Sequence, residues 1–314
     1  MMAFMIDPSV ILSFQNTGEE HEKTLEFLCR MEDDLQRPIH RLEWRAPPRG
    51  EPPRNATFEE VSHACLARHG EPFRDVLACL AAFRAKAKGK GPIAPWPRQR
   101  LCTAYLKIKT QRAYMRSLGF AEWTAYVGLR ADEPQRVHDL LRRNEREISH
   151  EVPLYEQNIT KADVMRFWSQ KPYDLDLPEH LGNCKACFMK DERDLATALL
   201  DPATDPSFYL GIERDFGPMR RKRSSYAQVL EEAPQRMKIR QALAEGAEPP
   251  QGALPATRFK LIVAQEKVPA AAWSCACEGA ELLANDVDKS DDLILELEAA
   301  TQYEHSFASL RRRL

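Results

Sequence analysis

The sequence predicts an α/β protein that opens on a parallel βαβ unit, with a helical C-terminal region. Three observations predict it. Val10 to Phe14 is a short apolar, β-branched run that passes through Gln15-Asn16-Thr17-Gly18 into a helical pattern, the order that opens a βαβ unit. Thr124 to Leu129 is a second buried-strand run, and it ends in the polar segment Arg130-Ala131-Asp132-Glu133-Pro134. Beyond about residue 190 the pattern is helical.

Each element follows from local chemistry. The first helix is expected from about Glu19, with Leu25, Leu28, Cys29 and Leu35 at helical spacing and Glu19, Glu20 and Glu22 in the first turn, where the helix dipole favours acids. Ala46 to Arg54 is rich in Pro and Arg and reads as a loop. Helices are expected around 58–68 and 73–86, followed by the breaker-rich Lys88-Gly89-Lys90-Gly91-Pro92 through Pro97. Leu101 to Leu118 is amphipathic, with Leu101, Tyr105, Ile108, Met115 and Leu118 on one side. Thr160-Lys161-Ala162-Asp163 has the form of a capping box, with Val164, Phe167 and Trp168 behind it. Glu245 to Pro255 reads as a linker. The division this suggests is an α/β domain over 1–190, a helical extension over 191–245, and a linker with a Cys-containing tail over 246–314.

Composition narrows the function. Lys and Arg total 45 and Asp and Glu 47, so the net charge of −2 speaks against a generic polyanion binder and gives no electrostatic case for a membrane surface. Nucleic acid is therefore not indicated as a partner. The apolar runs are too short to span a bilayer, and the first residues lack the pattern of a secretory signal. Eight cysteines in 314 residues are too sparse for a disulfide scaffold, so a reducing cytoplasm is the expected location.

Cys184-Lys185-Ala186-Cys187 is the best local signal for chemistry, since a two-residue gap lets both thiolates point at one metal ion or iron–sulfur cluster. Cys102 and the Cys275/Cys277 pair are its candidate companions; the alternative is buried, inert cysteines. Asn16, Thr17 and Gly18 stand where a strand's carboxyl end meets a helix, a place for a nucleotide or for a plain turn. Arg130 with Asp132 and Glu133 would suit a phosphate or a metal-bound phosphate, or else form an exposed charged turn. Lys107 and Lys109, two apart, do not share a helix face, so one at most meets a ligand. His63, Cys65 and His69 fit no compact ligand set, and Met219 to Arg223 reads as a solvated basic turn. No GxxxxGK[ST], GxGxxG, GxSxG or HExxH motif occurs.

In order, the chain carries Ser13-Phe14-Gln15-Asn16-Thr17-Gly18-Glu19-Glu20, Cys102-Thr103, Leu106-Lys107-Ile108-Lys109, Gly128-Leu129-Arg130-Ala131-Asp132-Glu133-Pro134, Val152-Pro153-Leu154-Tyr155 and Gly182-Asn183-Cys184-Lys185-Ala186-Cys187. From Val10 to Tyr226 this series resembles the phosphoadenosine phosphosulfate (PAPS) reductase family of the adenine nucleotide α-hydrolase-like, PP-loop ATP pyrophosphatase superfamily, particularly its phage and prophage members. The resemblance implies a doubly wound, mostly parallel sheet of the adenine-nucleotide-binding type, with nucleotide (ATP or PAPS, with Mg²⁺) at the strands' carboxyl ends. Asn16, Thr17 and Gly18 would lie beside the adenosine; Gly128, Arg130, Asp132, Glu133 and Lys107 would face sugar and phosphates. It further implies a 4Fe–4S cluster or zinc on Cys102, Cys184, Cys187 and Cys277, and a reactive thiol at Cys275 or Cys277. The implied chemistry is reduction of a sulfonucleotide or ATP-driven activation at a phosphate. The alternative is a non-catalytic nucleotide- or cluster-binding partner in a phage- or defence-related assembly, alone or as a homo-oligomer. The family's Ser-Gly-Gly-x-Asp-Ser phosphate loop and its strand have no counterpart ahead of Val10. The expectation is therefore that this strand lies upstream, comes from another chain, or has been lost.

Overall fold

In a computed structural model the described residues are 9–48, 51–88, 91–143, 145–182, 184–220 and 223–267. The chain is α/β. Strand β1 (Leu12–Asn16) passes through helix α1 (Glu22–Leu35) into β2 (Ile39–Arg45), which pairs with β1 in parallel, Leu12 opposite Ile39 and Asn16 opposite Glu43. This is the expected βαβ unit. Helix α1 begins later than Glu19. Its cap is His21, whose ring nitrogen accepts from the Lys23 N–H, leaving Glu19 and Glu20 in the turn before the helix, both buried.

The helix expected over 58–68 is not formed. Strand β3 (Thr57–Glu60) lies antiparallel on β2 with Phe58 opposite Trp44, and a short 3-10 turn follows at His63–Cys65. Phe58 and Val61 are three apart, which reads as helical, but cross-strand pairing with Trp44 outweighs local propensity. The sheet order is β1-β2-β3.

Helix α2 (Glu71–Lys88) packs on β2 and on the segment that follows it. The amphipathic helix expected over 101–118 is continuous, with π register over Cys102–Lys109 passing directly into α3 (Thr110–Ser117). Strand β4 (Trp123–Tyr126), helix α4 (Pro134–Leu141) and β5 (Ile148–Glu151) form a second parallel pair, Trp123 opposite Ile148. Helices α5 (Pro153–Glu156) and α6 (Lys161–Ser169) follow, and α6 carries the expected capping box of Thr160 and Asp163.

Helices α7 (Glu192–Leu200), α8 (Pro206–Phe216), α9 (Tyr226–Ala244) and α10 (Ala256–Lys267) complete the described chain, with 245–255 between the last two. One core joins Trp44, Leu77 and Tyr105 of the first half to Leu195, Ile212 and Tyr226 of the second. A buried ion pair, Arg236 to Glu266 at 3.0 Å, ties α9 to α10. No described helix is long and apolar enough to cross a membrane.

Candidate functional site

The carboxyl end of β1 turns inward. Asn16 is fully buried; its amide donates to Glu43 Oε1 at 2.7 Å and to the Ala67 carbonyl at 2.9 Å, and its oxygen accepts from the Gly18 N–H at 3.2 Å. The Thr17 hydroxyl donates to Glu20 Oε1 at 2.9 Å and accepts from the Glu19 N–H at 3.3 Å. Gly18 has φ +82°, and a Cβ there would meet the Gly70 nitrogen at 2.8 Å, so the turn closes only on glycine. The residues expected beside an adenosine are thus spent on the fold: the side chains of Asn16 and Thr17 hold their hydrogen-bonding partners within the protein.

What this turn does meet is the cysteine loop. Thr17 Oγ1 lies 3.6 Å from Cys184 Sγ, across 167 residues of sequence, Glu20 bridges to Cys184 through the backbone, and the Lys185 N–H donates to the Glu19 carbonyl at 2.9 Å. The loop from Gly182 to Lys190 is pinned from several sides. The Tyr209 hydroxyl accepts from the Ala186 N–H at 3.0 Å and donates to Glu19 Oε2. The Tyr226 hydroxyl donates to the Ala186 carbonyl at 2.6 Å, and the two tyrosine rings stack at 5.1 Å. Lys190 Nζ donates to the Gly182 carbonyl at 2.6 Å. Arg220, almost fully buried, donates to the carbonyls of Phe188 at 3.0 Å and Lys190 at 2.7 Å. The basic turn around it is therefore not simply solvated: Arg220 is a structural pin.

Cys102 and Lys107 come to the same place from the π-helix. Its i→i+5 bonding puts residues five apart on one side, and such segments recur at functional sites. Lys109 instead places its ammonium over the Tyr105 ring at 4.3 Å, so the two lysines diverge as their spacing predicts. Cys102, Cys184 and Cys187 are close enough to act on one another electrostatically. Burial, then the Cys187 thiol, pushes Cys102 up to about 11; burial, Glu20 and Cys187 push Cys184 well above its ordinary value. Lys107 opposes both shifts. Its own pKa is raised, because Glu20 and the three thiols outweigh a desolvation that alone would lower it. Lys107 nonetheless remains exposed, and each of the three cysteines keeps some accessible surface. Lys107 is the cation on which Glu20 and the three thiols act together.

The same site holds Glu19, whose carboxyl burial raises to about 7 against the opposing pull of Lys185 and the Tyr209 hydrogen bond. Sequence reasoning took Glu19 and Glu20 for dipole acids and gave no role to Tyr209, Tyr226 or Arg220. The only signal was two adjacent acids ahead of, rather than within, a helix capped by His21.

Three thiols sharing a site have the soft donor chemistry of zinc or an iron–sulfur cluster. Among the described residues, however, no three His, Cys, Asp or Glu side chains stand as a group that could hold a metal ion. Cys275 and Cys277 lie outside the described residues. Gly128, Arg130, Asp132 and Glu133 follow β4 as a group of their own. Arg130 Nε donates to Asp132 at 3.1 Å, its N–H donates to Glu133 at 3.1 Å, and buried Glu133 also pairs with Arg136. Gly128 and Asp132 are exposed and Arg130 is half-buried. Arg130 already has carboxylate partners, which a phosphate would have to displace.

The chain is similar to an uncharacterized nin region protein, ORF290, of Escherichia phage lambda, at 28% identity over 189 residues, 60% of this chain and 59% of that protein. It thus spans about three fifths of the length of that relative. No family model matches, and no solved structure does.

Proposed function

We propose that the chain is a PAPS-reductase-like protein that binds an adenine nucleotide next to a thiol centre, on a doubly wound scaffold of which β1-α1-β2 and β4-α4-β5 are two parts. The observation that carries this is convergence: the turn after β1, the start of the π-helix and the Cys184–Cys187 loop, remote in sequence, meet at one place. Lys107 is its accessible cation, suited to a phosphate or sulfonate oxygen. Arg130, Asp132 and Glu133 at the end of β4 are the second phosphate-type group, with Mg²⁺ as the ion their carboxylates would suit. A zinc ion or 4Fe–4S cluster would draw its thiolates from Cys102, Cys184 and Cys187 with Cys277, and would require the first three to stand closer together than they do in this structure. The nucleotide's chemistry is reduction at a sulfonucleotide sulfur by a thiol, or activation at an ATP phosphate.

The test is equilibrium binding of ATP and of PAPS to anaerobically purified full-length chain, with metal analysis and a visible spectrum on the same sample. Nucleotide binding that Lys107→Ala weakens by about tenfold or more, the scale of one lost charge-assisted hydrogen bond, supports the reading. No binding of either nucleotide, or binding indifferent to Lys107 and Arg130, defeats it.

A non-catalytic reading is favoured by a specific observation. Cys102 and Cys184 are held above their ordinary pKa, so at neutral pH neither described thiol supplies a nucleophilic thiolate, and a catalytic reading has to take its reactive thiol from outside the described residues. On the non-catalytic reading the protein is a nucleotide- or cluster-binding partner in a phage-related assembly, a setting consistent with its lambda relative. Release of pyrophosphate from ATP or of sulfite from PAPS separates the two readings, since only the catalytic one yields either product.

A further inference from the structure

The net charge of −2 averages a segregated distribution: residues 76–121 carry ten Lys and Arg and no Asp or Glu. Helix α3 lies at the end of that stretch, and its Arg112 and Arg116, four apart, share a face. Both reach the segment that precedes β5. Arg112 pairs with Glu145, and Arg116 Nη2 donates to the two carboxylate oxygens of Glu147 at 2.7 and 2.6 Å. That segment adds Arg142, Arg143 and Arg146. Arg100 and Arg112 act on the Arg143 guanidinium against Glu145 and Asp139, so these charges belong to one neighbourhood. Arg142 and Arg146 are exposed, and neither makes an ion pair among the described residues.

A solvated basic surface would show as much. The second observation is Phe120, 43% exposed just beyond the last turn of α3, where its N–H donates to the Met115 carbonyl at 3.2 Å. An open phenyl ring beside surplus guanidiniums offers both contacts that a single strand of nucleic acid makes: cations follow the phosphates, and the ring takes a base. The guanidinium fork matches phosphate oxygens two at a time. A duplex keeps its bases stacked on one another, and an acidic peptide would leave the ring idle.

We propose that the surface where α3 meets residues 142–147 binds single-stranded nucleic acid, with Arg142 and Arg146 on phosphates and a base stacked on Phe120. Arg112 and Arg116 stay with their carboxylates and hold the segment in place. Glu122, exposed two residues after Phe120, opposes a phosphate there. The proposal uses neither Lys107 nor Arg130 and stands apart from the nucleotide reading.

The test is fluorescence anisotropy, with the full chain and a fluorescein-labelled oligo-dT of about 15 nucleotides, within the usual range of site sizes. Two phosphate contacts give a slope of about −1.4 in the logarithm of the binding constant against that of salt concentration. Arg142→Gln combined with Arg146→Gln should weaken binding by about tenfold or more and bring that slope close to zero. Phe120→Ala should weaken binding by about fivefold or more with the slope unchanged. Phe120→Trp should bind at least as tightly as the parent, and Glu122→Gln more tightly. Should Phe120→Ala misfold, the Trp, Gln and double arginine variants still decide the matter.

Four outcomes would overturn the proposal. Absence of binding at low salt removes the site. Binding that ATP displaces and that the double arginine variant leaves unchanged belongs to the nucleotide site instead. Inorganic polyphosphate displacing the oligonucleotide, with Phe120→Ala binding like the parent, leaves a bare polyanion surface. Binding that appears only once Asp286, Asp288, Asp291 and Asp292 are changed to Asn makes the chain's own acidic segment the occupant.

Discussion

Glu19→Gln isolates the least comfortable group in the protein. The carboxyl is 3% exposed, and its pKa lies at about 7 rather than 4.5. The folded protein therefore holds this proton more tightly than the unfolded chain does. The group costs no stability below pH 4.5, costs progressively more between 4.5 and 7, and reaches a plateau above that. At about 1.36 kcal/mol for each pKa unit, the plateau is on the order of 3 kcal/mol. Glutamine keeps an oxygen to accept from the Tyr209 hydroxyl and cannot ionise. The variant should match the parent near pH 5 and exceed it at pH 8 by up to about 3 kcal/mol, or roughly 6–12 °C in melting temperature. Thermal melts of both proteins at half-unit pH intervals give the difference curve directly. A difference that stays constant from pH 5 to 8 would show that Glu19 is ionised at no cost, and the account of its burial would be wrong.

Removing the ammonium near the thiols by Lys107→Met should raise the pKa values of Cys102 and Cys184 further, because Lys107 lowers both; the rate of iodoacetamide labelling against pH should move to higher pH, and an unmoved profile would place the ammonium away from them. Arg220→Ala leaves the buried carbonyls of Phe188 and Lys190 without their donor, which should cost about 3 kcal/mol in urea unfolding and speed labelling of Cys187. Glu266→Ala takes from buried Arg236 its closest carboxylate, leaving it Glu192 at 3.3 Å and the Gln265 side-chain oxygen, and should cost about 3 kcal/mol, whereas Arg236→Met combined with Glu266→Leu should recover only part of it, because Arg240 and Arg193 lose the same carboxylate. An equal loss in the double variant would mean the pair contributes through more than its charge.

The βαβ start, the second strand run, the capping box of α6 and the helical C-terminal region were legible because each is written in a local pattern. The divergence of Lys107 and Lys109 was legible for the same reason. Strand β3 was not, because Phe58 becomes a strand residue only when Trp44 lies opposite it. The π register of 102–109 was not, because its composition suits an ordinary helix equally well. The site was half legible. Cys102, Cys184 and Cys187 announced themselves by residue type and spacing. The groups that hold them in place did not: Tyr209 reaches Ala186 across 23 residues, Tyr226 across 40, and Arg220 reaches Phe188 across 32. Asn16 and Thr17 were read as facing a ligand because strand ends in such folds commonly do; burial of Glu43 and Glu20 gave them other partners first.

The carboxyl end of β1 is locked where it meets the thiols: Asn16 is clamped to Glu43 and Ala67, Gly18 is closed against Gly70, and Thr17 is held by Glu20. The residues from Leu12 to Gln15 are only partly buried. A site built on such an end is positioned before any ligand arrives, and an element couples two places only when it has two arrangements. Amide exchange should therefore be slower from Asn16 to Gly18 than from Leu12 to Gln15, and equal rates along the strand would mean that the Asn16 clamp does not hold in solution.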